Sequence, residues 1–139
     1  MPDVIDQLVT AINAQDLDEV VRCYQPRATV VGPELQAEGL EQIRSYHLHI
    51  WEAFPGARMT VWERSTEGDT VAIEGVYTGT HEGPFLSPEG EVIEPTSRPI
   101  GIRFCWMFTL EGGVIVSHRL YHDQMEIYSQ LGIRLTTVR

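Results

Sequence analysis

The carboxylate of Asp123 lies where a strand-forming stretch of the sequence gives way to a helix-forming one. Residues 114–122 favour a strand, and residues 124–131 favour a helix that Gly132 would end. A carboxylate in a dry pocket can act as a general acid or base, because burial raises its pKa toward neutrality. The same position is also a favoured helix N-cap, where the carboxylate would accept hydrogen bonds from backbone N–H groups. The sequence therefore predicts that Asp123 is either an acid–base catalyst or a cap.

The segment before Asp123 has the pattern of two antiparallel strands. Residues 100–110 are rich in β-branched and aromatic side chains, residues 111–113 form a Glu-Gly-Gly turn, and residues 114–122 again favour a strand. Such a hairpin makes the two strands neighbours in a sheet. Apolar bulk falls on both faces of the first strand, which indicates that this strand is covered on both sides.

The alternation of side chains along the second strand decides what surrounds Asp123. A period of two places Asp123 on one face with Arg119 and Tyr121, and places His122 on the other face with His118. An ion pair with an arginine lowers the pKa of a carboxyl group and removes it from base chemistry. Pairing with Arg119 is thus an alternative to a free carboxylate in a chamber.

Helix and strand patterns fill the rest of the chain. The predicted order is a helix at about 3–14, a second short helix that ends before Pro26, a strand at 28–31, a helix at 39–54, and strands at 58–64 and 70–80. Together with the C-terminal hairpin and helix, this is an α+β layout with helices gathered on one face of a curved sheet.

Length and composition exclude several classes of protein. The 139 residues fit one domain, residues 1–139, and the net charge of −10 argues against nucleic acids and anionic membrane surfaces as partners. No stretch approaches the ~18 apolar residues of a membrane span. Cys23 and Cys105 lie in apolar patterns and are expected to be reduced core thiols. A soluble, cytoplasmic protein is expected.

The histidines do not form a metal-binding pattern. The chain has five, at positions 47, 49, 81, 118 and 122, spread over a helix, a loop and a strand. His118 and His122 are four residues apart on a strand, which separates them by about 13 Å, too far to share an ion. The sequence also lacks a glycine-rich phosphate loop and a nucleophile elbow. Neither a metal nor an organic cofactor is expected.

Several motifs carry a family likeness that periodicity alone does not supply. They are Asn-Ala-Gln-Asp at 13–16, Gly-Thr-His-Glu-Gly-Pro-Phe at 79–85, Pro-Thr-Ser-Arg at 95–98, Tyr-His-Asp-Gln at 121–124 and Gln-Leu-Gly at 130–132. Together these motifs resemble the SnoaL-like polyketide cyclases of the nuclear transport factor 2-like superfamily. The likeness spans almost the whole chain.

This resemblance implies a fold and an activity. The fold would be a cone-shaped barrel, in which a strongly curved mixed, mainly antiparallel sheet packs on three N-terminal helices and encloses an apolar pocket. Members of the family are usually dimeric through the outer face of the sheet, so a homodimer is expected.

In the cyclases an aspartate at the end of the last strand is the general acid–base catalyst of an aldol ring closure and needs no cofactor. Asp123 matches that position. The leading interpretation is a cofactor-independent cyclase or isomerase for a hydrophobic, polyketide-like small molecule.

A pocket for such a substrate needs apolar walls and a few polar groups that bind the oxygen of an enolate. The residues expected to contact the substrate are His47, Trp51, His81, Arg103, Trp106, Tyr46 and Tyr24. Two of them have structural alternatives, because His47 lies in the apolar stripe of its helix and His81 could hold a tight turn. The helical period turns His49 away from that stripe and toward water.

Two other functions stay open on the same fold. An epoxide hydrolase or epoxide cyclase would pair Asp123 with a second acid, for which Glu74 and Glu63 are candidates. A non-catalytic small-molecule-binding or dimerisation module would need only the chamber and a capping Asp123. The position of the Asp123 carboxylate discriminates between these functions, because catalysis requires it to lie free in the cavity.

Overall fold

The computed structural model describes residues 3–33, 35–87 and 90–133. Its helices and strands follow the predicted α+β order. Along the chain they are α1 (Val4–Ala14), α2 (Leu17–Arg22), β1 (Tyr24–Gly32), β2 (Leu35–Glu38), α3 (Leu40–Ala53), β3 (Arg58–Glu67), β4 (Thr70–Thr80), β5 (Phe85–Leu86), β6 (Val92–Ile93), β7 (Pro99–Glu111), β8 (Val114–His122) and α4 (Gln124–Leu131).

Six of these strands form one curved sheet in the order β2-β1-β8-β7-β4-β3. β1 and β8 run parallel, and the other neighbouring pairs run antiparallel. The predicted mixed, mainly antiparallel sheet is therefore confirmed. β2 and β3 are the two edges and do not pair with each other, so the described strands form an open sheet rather than a closed barrel.

The first two helices form where apolar residues and caps coincide. In α1, Ile5, Leu8 and Ile12 are buried at helical spacing, and the Asp3 carboxylate accepts hydrogen bonds from two backbone N–H groups of the first turn. α2 has six residues, less than two turns, and begins at the N-cap Asp16. Together with α3, these helices precede the β3–β4 hairpin as predicted.

The hairpin of β7 and β8 has the predicted alternation of faces. Trp106 and Phe108 are buried on the inner face of β7, whereas Arg103 is exposed on the outer face. Leu120 of β8 pairs with Trp106 and is buried on the same inner face. The turn residues 112–113 are glycines with positive φ angles, which a tight hairpin turn between twisted strands requires.

Three features of the sheet differ from the sequence pattern. β1 begins at Tyr24 rather than at residue 28, because the strand continues through Pro26 with an irregular register against β8. β2 and the β5–β6 hairpin lie in segments to which the sequence pattern assigned no strand. These strands have four residues or fewer, too few to show an alternation, so only their pairing partners define them.

The loop after β4 closes against the C-terminal end of α3. The backbone N–H groups of Glu82 and Gly83 both donate to the carbonyl oxygen of Ala53, at 3.0 and 3.1 Å. The loop approaches so closely that a Cβ atom on Gly83 would lie 1.8 Å from the carbonyl oxygen of Glu52. Glycine is therefore required here. This contact fixes the loop beside the cavity described next.

Candidate active site

An apolar cavity of about 420 Å³ lies between the inner face of β7 and β8, the helix α3, the β5–β6 hairpin and the start of α4. Its walls are mainly aliphatic and aromatic, from Ile50, Phe54, Phe85, Ile100, Ile102, Phe104, Trp106, Leu120 and Ile127. The polar side chains among the described lining residues are Tyr46, His49, Tyr77, Ser87, His122 and Gln124. A volume of this size suits a small-molecule ligand.

Two polar residues meet in the wall of this cavity at the junction of β8 and α4. His122 is the last residue of β8, and Gln124 is the first residue of α4. His122 Nε2 and Gln124 Oε1 lie 2.6 Å apart. Gln124 Nε2 donates to the Tyr128 hydroxyl at 3.2 Å. The three side chains form a hydrogen-bonded chain beside apolar walls, where such bonds are stronger than in water.

Asp123 lies between these two residues in sequence but outside the cavity. Its side chain is exposed, and its carboxylate caps α4 by accepting a hydrogen bond from Met125 N at 2.9 Å. It borders a depression on the outer face of the sheet with Trp62, Glu74 and Arg103. The structure thus shows the N-cap arrangement. The expectation that Asp123 points into the apolar chamber is not met, because the alternation of β8 turns the preceding residue inward instead.

The two arginines near Asp123 both lie on the outer face. Arg103 is exposed, and its Nη2 atom is 2.7 Å from Oε2 of Glu126, with which it forms an ion pair. Arg119 donates to the hydroxyl groups of Ser117 and Thr109. Arg103 is therefore not among the residues that line the cavity, in contrast to the predicted substrate contact. The pairing of Arg119 with Asp123, which the sequence left open as an alternative, is not among these contacts.

His81 is fully buried in the loop after β4 and holds that loop together. Its Nδ1 accepts a hydrogen bond from Thr96 N at 3.1 Å and lies 3.0 Å from the Thr96 hydroxyl. The backbone N–H group of His81 donates to the carbonyl oxygen of Arg98, and its carbonyl accepts from Ser97 N. These contacts give His81 the turn-stabilising role that the sequence offered as the alternative to substrate contact.

Three more predicted contacts, Tyr24, His47 and Trp51, are buried in the core and are not among the residues that line the cavity. The Tyr24 hydroxyl and His118 Nδ1 share a hydrogen bond at 2.9 Å, and the His118 ring stacks on Phe108 with centroids 4.4 Å apart. The His47 ring lies 6.4 Å from that of Tyr24 and 5.9 Å from that of Trp51. The contacts of Tyr24, His47 and Trp51 support a role in packing the core.

The two core histidines, His47 and His118, are held neutral. Burial lowers the pKa of His47 to about 4. Burial is also the main cause that holds the pKa of His118 well below its ordinary value, with smaller contributions from His47 and Arg119. A buried imidazole that is neutral at pH 7 packs as an aromatic ring, and charging it requires partial unfolding or a large free-energy cost.

Tyr46 and Trp106 are predicted substrate contacts that do line the cavity. Tyr77 lines it as well, and burial raises the pKa of Tyr77 to about 12. Burial likewise raises the pKa of Tyr46, with a smaller contribution from the neighbouring Tyr77. Both tyrosines are therefore neutral phenols at pH 7. A neutral phenol can donate a hydrogen bond to an oxygen that gains negative charge during a reaction.

The sequence analysis missed five polar residues of the cavity, namely His49, Tyr77, Ser87, His122 and Gln124. The signal for His122 was present in the alternation of β8, which placed it on the face opposite to Asp123. His49 was expected to face water but is half-buried, because the β5–β6 hairpin packs against it and its ring stacks on Phe85 with centroids 5.6 Å apart. That hairpin had no sequence signal.

The described residues give no indication of a metal centre. Within residues 3–33, 35–87 and 90–133, no three His, Cys, Asp or Glu side chains converge where they could hold an ion. Over the same ranges, no helix combines the length and apolar character needed to cross a membrane. Cys23 is a buried free thiol, as expected, and Cys105 is a half-buried free thiol on the outer face.

Residues 5–118 match the SnoaL-like domain. The chain belongs to the SnoaL-like family. The match runs from α1 into β8 and ends before His122 and Asp123, so family membership is established independently of the polar residues at the end of the sheet. No curated protein sequence matches this SnoaL-like chain significantly.

Several solved structures share the fold of this SnoaL-like protein. A proposed SnoaL-like polyketide cyclase from Jannaschia sp. CCS1 is 23% identical with a TM-score of 0.83, over 95% of this chain and 91% of that one. IdmH, a proposed polyketide cyclase from Streptomyces antibioticus, is 27% identical with a TM-score of 0.77, over 94% and 96%. AclR, a proposed hydroxylase from Streptomyces galilaeus, is 20% identical with a TM-score of 0.80, over 93% and 92%. The predicted resemblance to SnoaL-like proteins is confirmed.

Proposed function

We propose that this SnoaL-like protein is a cofactor-independent cyclase or isomerase that uses acid–base catalysis on a hydrophobic, polyketide-like small molecule. Family membership and the likeness to proposed polyketide cyclases support a cyclase-type function. The observation that carries the proposal is an imidazole, that of His122, in the wall of a mainly apolar cavity. A neutral imidazole has one ring nitrogen that can accept a proton and one that can donate a proton, which suits it to both steps of such a reaction.

The reaction begins at a C–H bond next to a carbonyl group of the substrate. His122 takes the proton, and the electron pair of the C–H bond is delocalised onto the carbonyl oxygen as an enolate. Tyr46 or Tyr77, both neutral phenols, donates a hydrogen bond to this oxygen. The enolate carbon then attacks a second carbonyl carbon, and His122 returns the proton to the new alkoxide. No proton or electron is gained or lost overall.

The aromatic walls of the cavity position the substrate for this reaction. Phe54, Phe104 and Trp106 line the cavity with aromatic rings, which suit a flat, multi-ring molecule. Holding the two reacting carbons together removes several kcal/mol from the barrier of a ring closure, because the entropy of approach has already been lost on binding.

We assign the role of catalytic base to His122 because its side chain has access to the cavity. The Asp123 carboxylate is exposed on the other face and already accepts the Met125 N–H group. Catalysis by Asp123 stays a sequence-based prediction. Its geometry supports a structural role, in which it fixes the first turn of α4 and thereby the position of Gln124.

The epoxide-opening alternative has less support. Such an enzyme would need paired carboxyl groups in the cavity, and none of the described lining residues is an aspartate or a glutamate. Glu63 and Glu74 are both exposed, and Glu74 borders the depression on the outer face. We therefore rank cyclase or isomerase chemistry above epoxide chemistry.

The proposal predicts that the protein accelerates proton abstraction from a bicyclic ketone that fits the cavity. In D₂O, exchange of the α-protons of 2-tetralone, followed by NMR, should be faster with wild-type protein than with an equal concentration of free imidazole. Ile127→Trp fills the cavity from α4 and should reduce the exchange rate about 10-fold or more, because the substrate loses its position.

Met125→Trp is the matched control for this experiment. Met125 lies two residues earlier in α4 and is 53% exposed, so a tryptophan there leaves the cavity unchanged. A wild-type rate no higher than that of imidazole, or equal losses in both variants, would contradict the proposal. If 2-tetralone binds in the cavity without exchange, the second candidate function, a non-catalytic small-molecule-binding module, replaces the first.

We also propose that two copies of the chain associate through the outer face of the sheet. Trp62 and Tyr121 are each 56% exposed, and Tyr121 pairs with the half-buried Cys105. Large exposed aromatic residues of this kind are typical of interfaces. Tyr121→Asp is expected to convert a dimer into a monomer in light scattering, whereas Leu48→Asp, at an exposed leucine of α3, should not. A wild-type monomer, or an unchanged dimer in Tyr121→Asp, would contradict this arrangement.

A further inference from the structure

The hydrogen bonds of His122 determine where its proton lies. His122 Nε2 is 2.6 Å from Gln124 Oε1, which is an amide oxygen and can only accept. The neighbouring amide nitrogen of Gln124 donates to the Tyr128 hydroxyl at 3.2 Å. With the amide in this orientation, His122 Nε2 carries the hydrogen of this bond. In a neutral imidazole the other nitrogen, Nδ1, is then the basic atom.

We propose that Gln124, oriented by Tyr128, is a positioning residue that holds His122 in the Nε2–H tautomer and leaves Nδ1 as the base. This inference rests on the proposed function, in which His122 takes the proton. Gln124 itself does not exchange a proton with the substrate. It acts through His122, by selecting one of its two tautomers and by fixing the plane of its ring.

The local structure explains why the three side chains act together. Gln124 and Tyr128 are four residues apart in α4, so their side chains lie on the same face of the helix. Tyr128 is 3% exposed, and its ring is held by the core cluster that includes Leu131. The Asp123 cap fixes the first turn of the same helix. A buried tyrosine thus anchors the amide that orients the imidazole.

The tautomer can be measured directly. In a two-bond ¹H–¹⁵N correlation spectrum at pH 8, wild-type His122 is expected to show a protonated Nε2 and an unprotonated Nδ1. The His122→Ala spectrum identifies its signals among the five histidines of the chain. In Gln124→Leu, the acceptor is lost, and the His122 nitrogens should shift to intermediate values that indicate a mixture of tautomers. The α-proton exchange rate should fall about 10-fold, as expected for a base that is no longer held in position.

Gln130→Leu is the matched control. Gln130 is another half-buried glutamine of α4, and its side chain bonds to the backbone of Gly101 rather than to His122. This variant should leave the His122 nitrogen signals at their wild-type positions. Gln124→Glu provides an oxygen acceptor again and should restore the Nε2–H signature that Gln124→Leu loses.

A wild-type His122 protonated on Nδ1, or unchanged His122 signals in Gln124→Leu, would overturn the inference. If Gln124→Leu does not fold, the wild-type spectrum and Tyr128→Phe decide it, because Tyr128→Phe removes only the hydroxyl and should also produce a mixed tautomer. These nitrogen signals are independent of activity. A protein with the expected tautomer but no proton exchange would refute the proposed function and leave the positioning of His122 intact.

Discussion

Replacing His122 with alanine is expected to lower the α-proton exchange rate of 2-tetralone by about 100-fold or more, which is the usual contribution of a positioned general base. The effect should appear in kcat, because the imidazole acts on the reacting proton, and substrate binding by the aromatic walls should change little. His122 is half-buried and bonds only to Gln124 among the hydrogen bonds described above, so the fold should tolerate the loss.

The neighbouring residue provides the control for this experiment. Asp123→Asn has the same shape, and asparagine is as good an N-cap as aspartate, so α4 should keep its start. Its exchange rate should stay within about threefold of wild type, since the carboxylate does not line the cavity. The opposite result, a large loss in Asp123→Asn and a small one in His122→Ala, would return the catalytic role to the aspartate that the sequence motif indicated.

The protein is expected to lose stability steeply between pH 6.5 and pH 4. Burial lowers the pKa of His47 to about 4, from an ordinary value of 6.5 in the unfolded chain. The unfolded state therefore binds more protons across this range, so the free energy of unfolding falls as the pH falls. The stabilisation is complete above pH 6.5. His47 alone accounts for a loss of about 3 kcal/mol at pH 4, and His118 adds a loss in the same direction.

Urea denaturation at pH 7 and pH 4.5 measures this dependence. His47→Leu should reduce the difference in unfolding free energy between the two pH values, because the titrating group is gone. Ile43→Val, in the same buried stripe of α3, is expected to cost about 1 kcal/mol equally at both pH values. An unchanged pH dependence in His47→Leu would show that the buried imidazole is protonated in the folded state or is not buried in solution.

Local patterns were sufficient for the long elements. The alternation of β7 and β8, the glycine turn between them and the end of α4 at Gly132 were all predicted, since each depends on residues that are close in sequence. β2 and the β5–β6 hairpin were not predicted, because they exist only through pairing with other segments. His49 was misplaced for the same reason, since the hairpin that covers it has no local signal.

For the site, the sequence by itself determined the residue types at the end of β8 and the fact that His122 and Asp123 face opposite sides. It did not determine which of these sides is the cavity, because both faces of a hairpin strand can be covered. Only the tertiary structure decided this, through the curvature of the sheet and the packing of α3 and the β5–β6 hairpin over one face. The same long-range packing separated Tyr24, His47 and Trp51, which fill the core, from Tyr46 and Trp106, which line the cavity. Contacts between residues distant in sequence decide which side of each helix or strand lines the cavity and which side packs in the core. No local period in the sequence encodes that choice.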